Sequence, residues 1–158
     1  MFQELKRKKQ ALTNDQCISI LKSTKRGVLS IYGLEGYPYG MPLNPYYEEE
    51  SGKLYFHSGK FGHKIDALKE NPRASFCVYD EGYRKDGEWA LNISSVIVFG
   101  EVQLIEEKSK VEDICRKLSY QFTDDEAYIE GEIEKSLSAT VLLEFTIHNI
   151  CGKIVNEA

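Results

Sequence analysis

No stretch of this 158-residue chain approaches the roughly 20 consecutive apolar residues that a membrane-spanning helix needs, so no membrane partner is expected. An excess of positive charge is missing too. Lys and Arg number 20 against 25 Asp and Glu, a net charge of −5, which speaks against a general nucleic-acid binder. The one basic run, Lys6-Arg7-Lys8-Lys9, reads as part of a solvated N-terminal tail over residues 1–12. Residues 1–10 are charged and lack the apolar core of a secretory signal, so a cytoplasmic protein is expected. There is no C-x-x-C pair. Cys17, Cys77, Cys115 and Cys151 stand far apart among apolar residues and read as buried free thiols. His57, His63 and His148 have no Cys or carboxylate partners at ligand spacing, so no metal is expected. Internal repeats, low-complexity segments and linkers are also absent, and the length suits one domain over residues 1–158.

What the chain does contain is a succession of short strands. Thr13-Asn14-Asp15-Gln16 has the form of a capping box, and Cys17, Ile18, Ile20 and Leu21 continue it as an apolar helix face. Gly27–Tyr32 reads as a strand, and Gly33-Leu34-Glu35-Gly36 turns it into a second strand over Tyr37–Tyr47. A turn at 48–53 leads to a third strand, so the three are expected to form a meander. Asn71-Pro72 ends a helix with Phe61, Ile65 and Leu68 on one stripe. Arg73–Tyr79 alternates, with Ala74, Phe76 and Val78 on one face. Residues 81–88 read as a loop closed by Trp89. In the strand Asn92–Ile105, Gly100 marks a bend or bulge and Ser95 lies on the face opposite Val96. Helices over 110–122 and 124–135 precede a last strand at 139–148, whose Glu144 and His148 point outward. About six antiparallel strands with few helices predict a mainly β fold, a sheet curled into a barrel with peripheral helices.

One junction stands apart. The strand Leu54–Phe56 runs into His57-Ser58-Gly59-Lys60, and a helix starts near Phe61 or Gly62. A strand–turn–helix junction offers unpaired amides and the positive end of a helix dipole. Here a hydroxyl and the lysines Lys60 and Lys64 join them, an arrangement suited to a phosphate. A solvated turn accounts for the same residues as well. Just upstream, prolines at 38, 42 and 45 interrupt the neighbouring strand, which must therefore lie at an edge, be bulged, or flank a flat ligand rather than a strand.

Tyr37–Tyr47, then L-Y-F-H-S at 54–58, Gly62-His63-Lys64, Asn71-Pro72-Arg73-Ala74-Ser75-Phe76, S-V-I-V-F-G at 95–100 and F-T-I-H-N-I-C-G-K at 145–153 together resemble the pyridoxamine 5′-phosphate oxidase-like proteins. These are six-stranded split β-barrels that bind FMN, and the branch most similar holds the nitroimidazole-resistance reductases. The resemblance implies a homodimer with FMN in clefts between subunits. It implies that Met41, Pro42, Leu43 and Asn44 line the isoalloxazine, that His57 and Ser58 flank the ribityl chain, that His63 and Lys64 hold the phosphate, and that Ser95 meets the flavin's polar edge. His57 is the candidate catalytic residue, a proton donor to flavin or substrate. The true oxidase has arginines where this chain has Met41 and His63, and ends in a Trp- and Arg-bearing stretch where this one has Gly152–Ala158. That implies a substrate other than pyridoxamine phosphate. Three readings follow: an NAD(P)H-dependent reductase of a small planar acceptor, a haem-binding split barrel using His148 or His57, and a non-catalytic flavin-binding protein.

Overall fold

The computed structural model describes residues 2–158. Its centre is one antiparallel sheet of seven strands: β1 (Gly27–Tyr32), β2 (Pro38–Leu43), β3 (Tyr46–Glu48), β4 (Lys53–Gly59), β5 (Arg73–Tyr79), β6 (Asn92–Ile105) and β7 (Thr140–Asn156). Among the described residues four α-helices accompany it, α1 (Asn14–Ser23), α2 (His63–Glu70), α3 (Lys108–Ser119) and α4 (Glu126–Ser136), with short 3-10 turns at Lys8–Gln10 and Leu137–Ala139. None of the described helices is long and apolar enough to cross a membrane.

The strand order is β2-β1-β5-β6-β7-β4-β3. The two outermost strands are therefore neighbours in sequence, separated only by Asn44-Pro45. The sheet curls until its edges meet at that corner, which produces the split barrel. Proline causes the break: Pro42 and Pro45 remove two ladder donors within four residues, so what reads as one strand over 37–47 is two, both at edges. This raises the strand count from six to seven and overturns the expected meander. Instead β1 and β2 form one hairpin, β3 and β4 another, at opposite ends of the sheet.

Inward side chains fill the barrel: Leu29, Ile31, Met41, Leu54, Phe56, Phe76, Val96, Val98, Val141, Leu143 and Phe145 are all buried. Phe56 and Phe76 meet edge to face at 4.8 Å, and each such ring contributes about 1.5–3 kcal/mol by burial. α1 closes one end through Cys17 and Leu21, its first turn fixed by a complete capping box between Thr13 and Gln16. α2 adds Ile65, Ala67 and Leu68 to the same core. Phe61 does not join that stripe: it precedes the helix and is 92% exposed. Trp89 also stands out in solvent, at 75% exposure. Residues 2–12 do not hang free, since Leu12 donates to the Gly152 carbonyl and the Phe2 ring lies 5.4 Å from Phe99.

The expected irregularity at Gly100 is a β-bulge. Phe99 faces Asn149 and Gly100 faces Ile147, so His148 is the unpaired extra residue. The strands close tightly there, because a Cβ on Gly100 would lie 1.9 Å from the Thr146 carbonyl oxygen. β7 runs to Asn156, longer than its alternation over 139–148 suggests. On its outer face Leu142 packs with Tyr55, Val111 and Ile114 beneath α3. Glu144, expected outside, is 4% exposed under the same helix.

Candidate functional site

The strand β4 does not stop at Phe56 but continues through Gly59, pairing His57 with Leu142, Ser58 with Val141 and Gly59 with Thr140. Alternation along a strand then separates the two residues read as flanking one chain: His57 points outward and Ser58 inward, where it is buried and donates to the Gly59 carbonyl at 3.1 Å. The turn shrinks to Lys60-Phe61-Gly62. Gly62 adopts φ +114°, a conformation that a side chain would strain, and it precedes the first residue of α2.

Ile65 and Asp66 both donate to the Gly62 carbonyl, which leaves the amides of His63 and Lys64 without a backbone acceptor. Lys64 is half-buried, and burial holds its pKa below the ordinary lysine value. No carboxylate pairs with it among the described residues. His57 lies within its field: burial first, and then the Lys64 ammonium, push the imidazole pKa down. The Lys64 ammonium, the neutral His57 imidazole, two free amides and a helix N-terminus thus lie at one corner, with no carboxylate paired to Lys64 among the described residues. The arrangement favours a multiply charged anion from solution.

His63 turns aside from that corner. Its ring meets Tyr39 edge-on at 4.7 Å, and Nδ1 lies 3.5 Å from a Glu35 carboxylate oxygen. The β1–β2 hairpin therefore holds this side chain, and sequence reasoning missed the contact. The only signal was the turn Gly33–Gly36, which says nothing of what packs on it. Met41 faces the core and is buried, whereas Pro42 is exposed. Leu43 is half-buried. The Asn44 side-chain amide is already engaged, donating to the Lys25 carbonyl at 2.7 Å and tying the barrel's corner to the start of β1. Ser95 is half-buried on the outer face, between Tyr79 and Lys153. Along β7, the residue opposite Ser58 is Val141 and the residue opposite Ser95 is Lys153. That interval is about 40 Å of strand contour, at roughly 3.3 Å per residue. The structure brings His57 and Lys64 together, and sets Ser95 at the other end of the long strand.

A groove of about 640 Å³ opens between α3, α4 and Lys60. Glu106, Glu112, Glu130 and Glu134 outnumber Lys60 and Lys108 on its walls, so it is unsuited to a phosphate.

A family model described as pyridoxamine 5′-phosphate oxidase matches residues 13–154. No curated protein sequence matches the chain. Among solved structures, the chain is similar to a candidate 5-nitroimidazole antibiotic resistance protein from Bacteroides thetaiotaomicron, with a TM-score of 0.78 and 20% identity over 92% of this chain and 87% of that one. A FAD-binding protein from Mesorhizobium loti aligns with a TM-score of 0.65 and 22% identity, over 92% and 97% of the two chains. A FAD- and haem-binding protein from Mycobacterium smegmatis aligns with a TM-score of 0.72 and 19% identity, over 95% and 74%. At such identities the likeness is one of fold.

Proposed function

The chain belongs to the pyridoxamine 5′-phosphate oxidase family, and on that premise we propose that it is a cytoplasmic FMN-dependent oxidoreductase, taking electrons from NAD(P)H and passing them to a small planar acceptor such as a nitroaromatic. The observation that carries this reading is Lys64: a half-buried ammonium with no carboxylate partner, beside His57 and the free amides at the start of α2. A phosphate monoester carries close to two negative charges, and charge-assisted contacts to it are about twice as strong as neutral ones. The corner therefore fits the phosphate end of FMN.

In this reading Lys64 Nζ and the amides of His63 and Lys64 bind the phosphate. Gly62 and Gly59 leave open space for its approach, since an added Cβ at either would meet no atom within 4 Å. The backbone of Met41, Pro42, Leu43 and Asn44 lines the ring, with Ser95 as a further polar contact, while the inward Ser58 is left out of the site. His57, with its pKa depressed, is neutral near pH 7, so in this reading it donates a hydrogen bond from its one ring N–H to the flavin or the acceptor and does not act as an acid. His63 steadies the turn through Tyr39 and Glu35. When bound, FMN itself supplies the electron transfer.

Pyridoxamine phosphate is not the substrate in this reading. Met41 and His63 stand where the resemblance places arginines in the true oxidase, and Met41 is turned into the core. A homodimer belongs to the proposal, because Ser95 and the Lys64 corner lie far apart along one chain and meet a common ligand when two chains contribute. The exposed Val28 and Tyr79 on the face that carries Ser95 support that arrangement.

The test is spectroscopic. Purified protein titrated with FMN is expected to show the two flavin absorption bands and to lose them under NADH or NADPH without oxygen. A Soret band in the isolated protein would favour haem instead. A flavin that both nicotinamides leave oxidised would favour a non-catalytic flavin-binding protein.

A further inference from the structure

The outer face of the sheet holds a cavity of about 450 Å³, within the size range of small-ligand sites. Tyr32 and Pro38, partners across β1 and β2, form one wall, and Phe99 with the Phe2 ring forms the other. Ser30 and Ser75, directly opposite each other, supply hydroxyls at the floor. None of Lys64, His57, Met41 or Ser95 lines it.

Arg73 makes this more than an apolar slot. It lies opposite Glu101 across an antiparallel pair, the placement in which opposite charges ordinarily join. No such ion pair forms among the described residues. The guanidinium instead lies over the Tyr32 ring at 5.5 Å, while its Nε donates to Asn71 Oδ1 at 3.2 Å. Stacking and that hydrogen bond orient the group and leave its terminal nitrogens without an acceptor among the described residues. His148, the unpaired residue of the bulge, also lines the cavity, as does Glu101. Bulges re-aim side chains in this way, and here the tight approach at Gly100 fixes the bulge.

We propose that this cavity is a second small-molecule site, specific for a planar aromatic carboxylate. The aromatic walls take the ring, and the oriented fork of Arg73 takes the carboxylate through two parallel hydrogen bonds. Glu101 opposes a second negative charge and accepts a donor on the ring, and His148 caps the rim. A dianion is disfavoured, and an acid with an exocyclic N–H or O–H fits best.

Calorimetric titration of the full chain with 4-aminobenzoate tests this, with aniline, which lacks the carboxylate, as the second probe. One saturable site is expected, with aniline at least about tenfold weaker. Arg73→Met should weaken 4-aminobenzoate by a similar factor while leaving FMN titration of the same sample unchanged. That readout keeps this site's failure separate from failure of the flavin reading. Tyr32→Ala, at an exposed position, should also lower affinity and covers the case in which Arg73→Met does not fold. Absence of saturation up to the solubility limit, equal binding of the two probes, or unaltered affinity in a folded Arg73→Met protein would each overturn the proposal.

Discussion

Tyr55 and Glu144 stand opposite each other on β4 and β7, and the buried phenol donates to the buried carboxylate at 3.0 Å. Lys53 from β4 and Lys110 from α3 complete the cluster at 2.6 and 2.5 Å. Burial alone would raise the carboxyl pKa. Hydrogen bonds from Lys110, Lys53 and Tyr55 together outweigh it and hold the value at about 2. A charge under a helix is thereby made into the tie between α3 and the barrel.

Glu144→Gln should therefore destabilise the fold by about 3 kcal/mol at pH 7, since it removes a buried charge from its three donors. Urea denaturation measures this. The pH dependence has a definite sign: the folded pKa lies below the ordinary 4.5, so the contribution is fully present above that pH and disappears as pH falls toward 2. Stability of the parent should drop through this window by about 3 kcal/mol more than that of the variant. Parallel pH profiles would show that the cluster carries no net stability.

Gly100→Ala tests the bulge. The new methyl would meet the Thr146 carbonyl at 1.9 Å and the Phe145 ring at 2.8 Å, and backbone cannot give way as a flexible side chain does. A loss of about 3 kcal/mol or more is expected, seen as a lowered midpoint in thermal melts. A wild-type midpoint would mean that β6 and β7 do not approach so closely.

Lys64→Ala should lower FMN affinity at least about tenfold, because a charged hydrogen bond is worth roughly 1.5–3 kcal/mol. Quenching of flavin fluorescence reports it. Undiminished binding would displace the phosphate from this corner.

Sedimentation or light scattering of the flavin-loaded protein should give twice the chain mass of 18.1 kDa. A single-chain mass with flavin retained would contradict a site shared between subunits. Ser95→Ala in a dimer should shift the flavin spectrum while leaving the mass unchanged.

Local signals were legible and nonlocal ones were not. Arg73–Tyr79 and Asn92–Ile105 could be read to the residue, since strict alternation and Asn71-Pro72 are short-range features. Thr13 and Gln16 form the expected box for the same reason. The end of β4 was hidden because its outward residue, His57, is polar while Gly59-Lys60 resembles a turn. Glu144 reads as a solvent-facing residue of an amphipathic strand until α3, contributed from elsewhere in the chain, is laid over it. The placing of β2 and β4 far apart in the sheet was likewise invisible, because adjacency in sequence usually means adjacency in space. In the candidate site, the place of Lys64 in the first turn of α2 could be read from its position after Gly62. The grip of Glu35 and Tyr39 on His63 could not, because it joins a hairpin to a helix across intervening strands.

The seam at Asn44-Pro45 has a practical corollary. A circular permutant opened between these two residues would release both margins of the sheet at once, each a row of main-chain donors and acceptors needing company. Such a chain should seek the missing neighbour in another molecule, yielding swapped or chained oligomers, whereas opening the turn at residues 49–52 should leave the barrel closed.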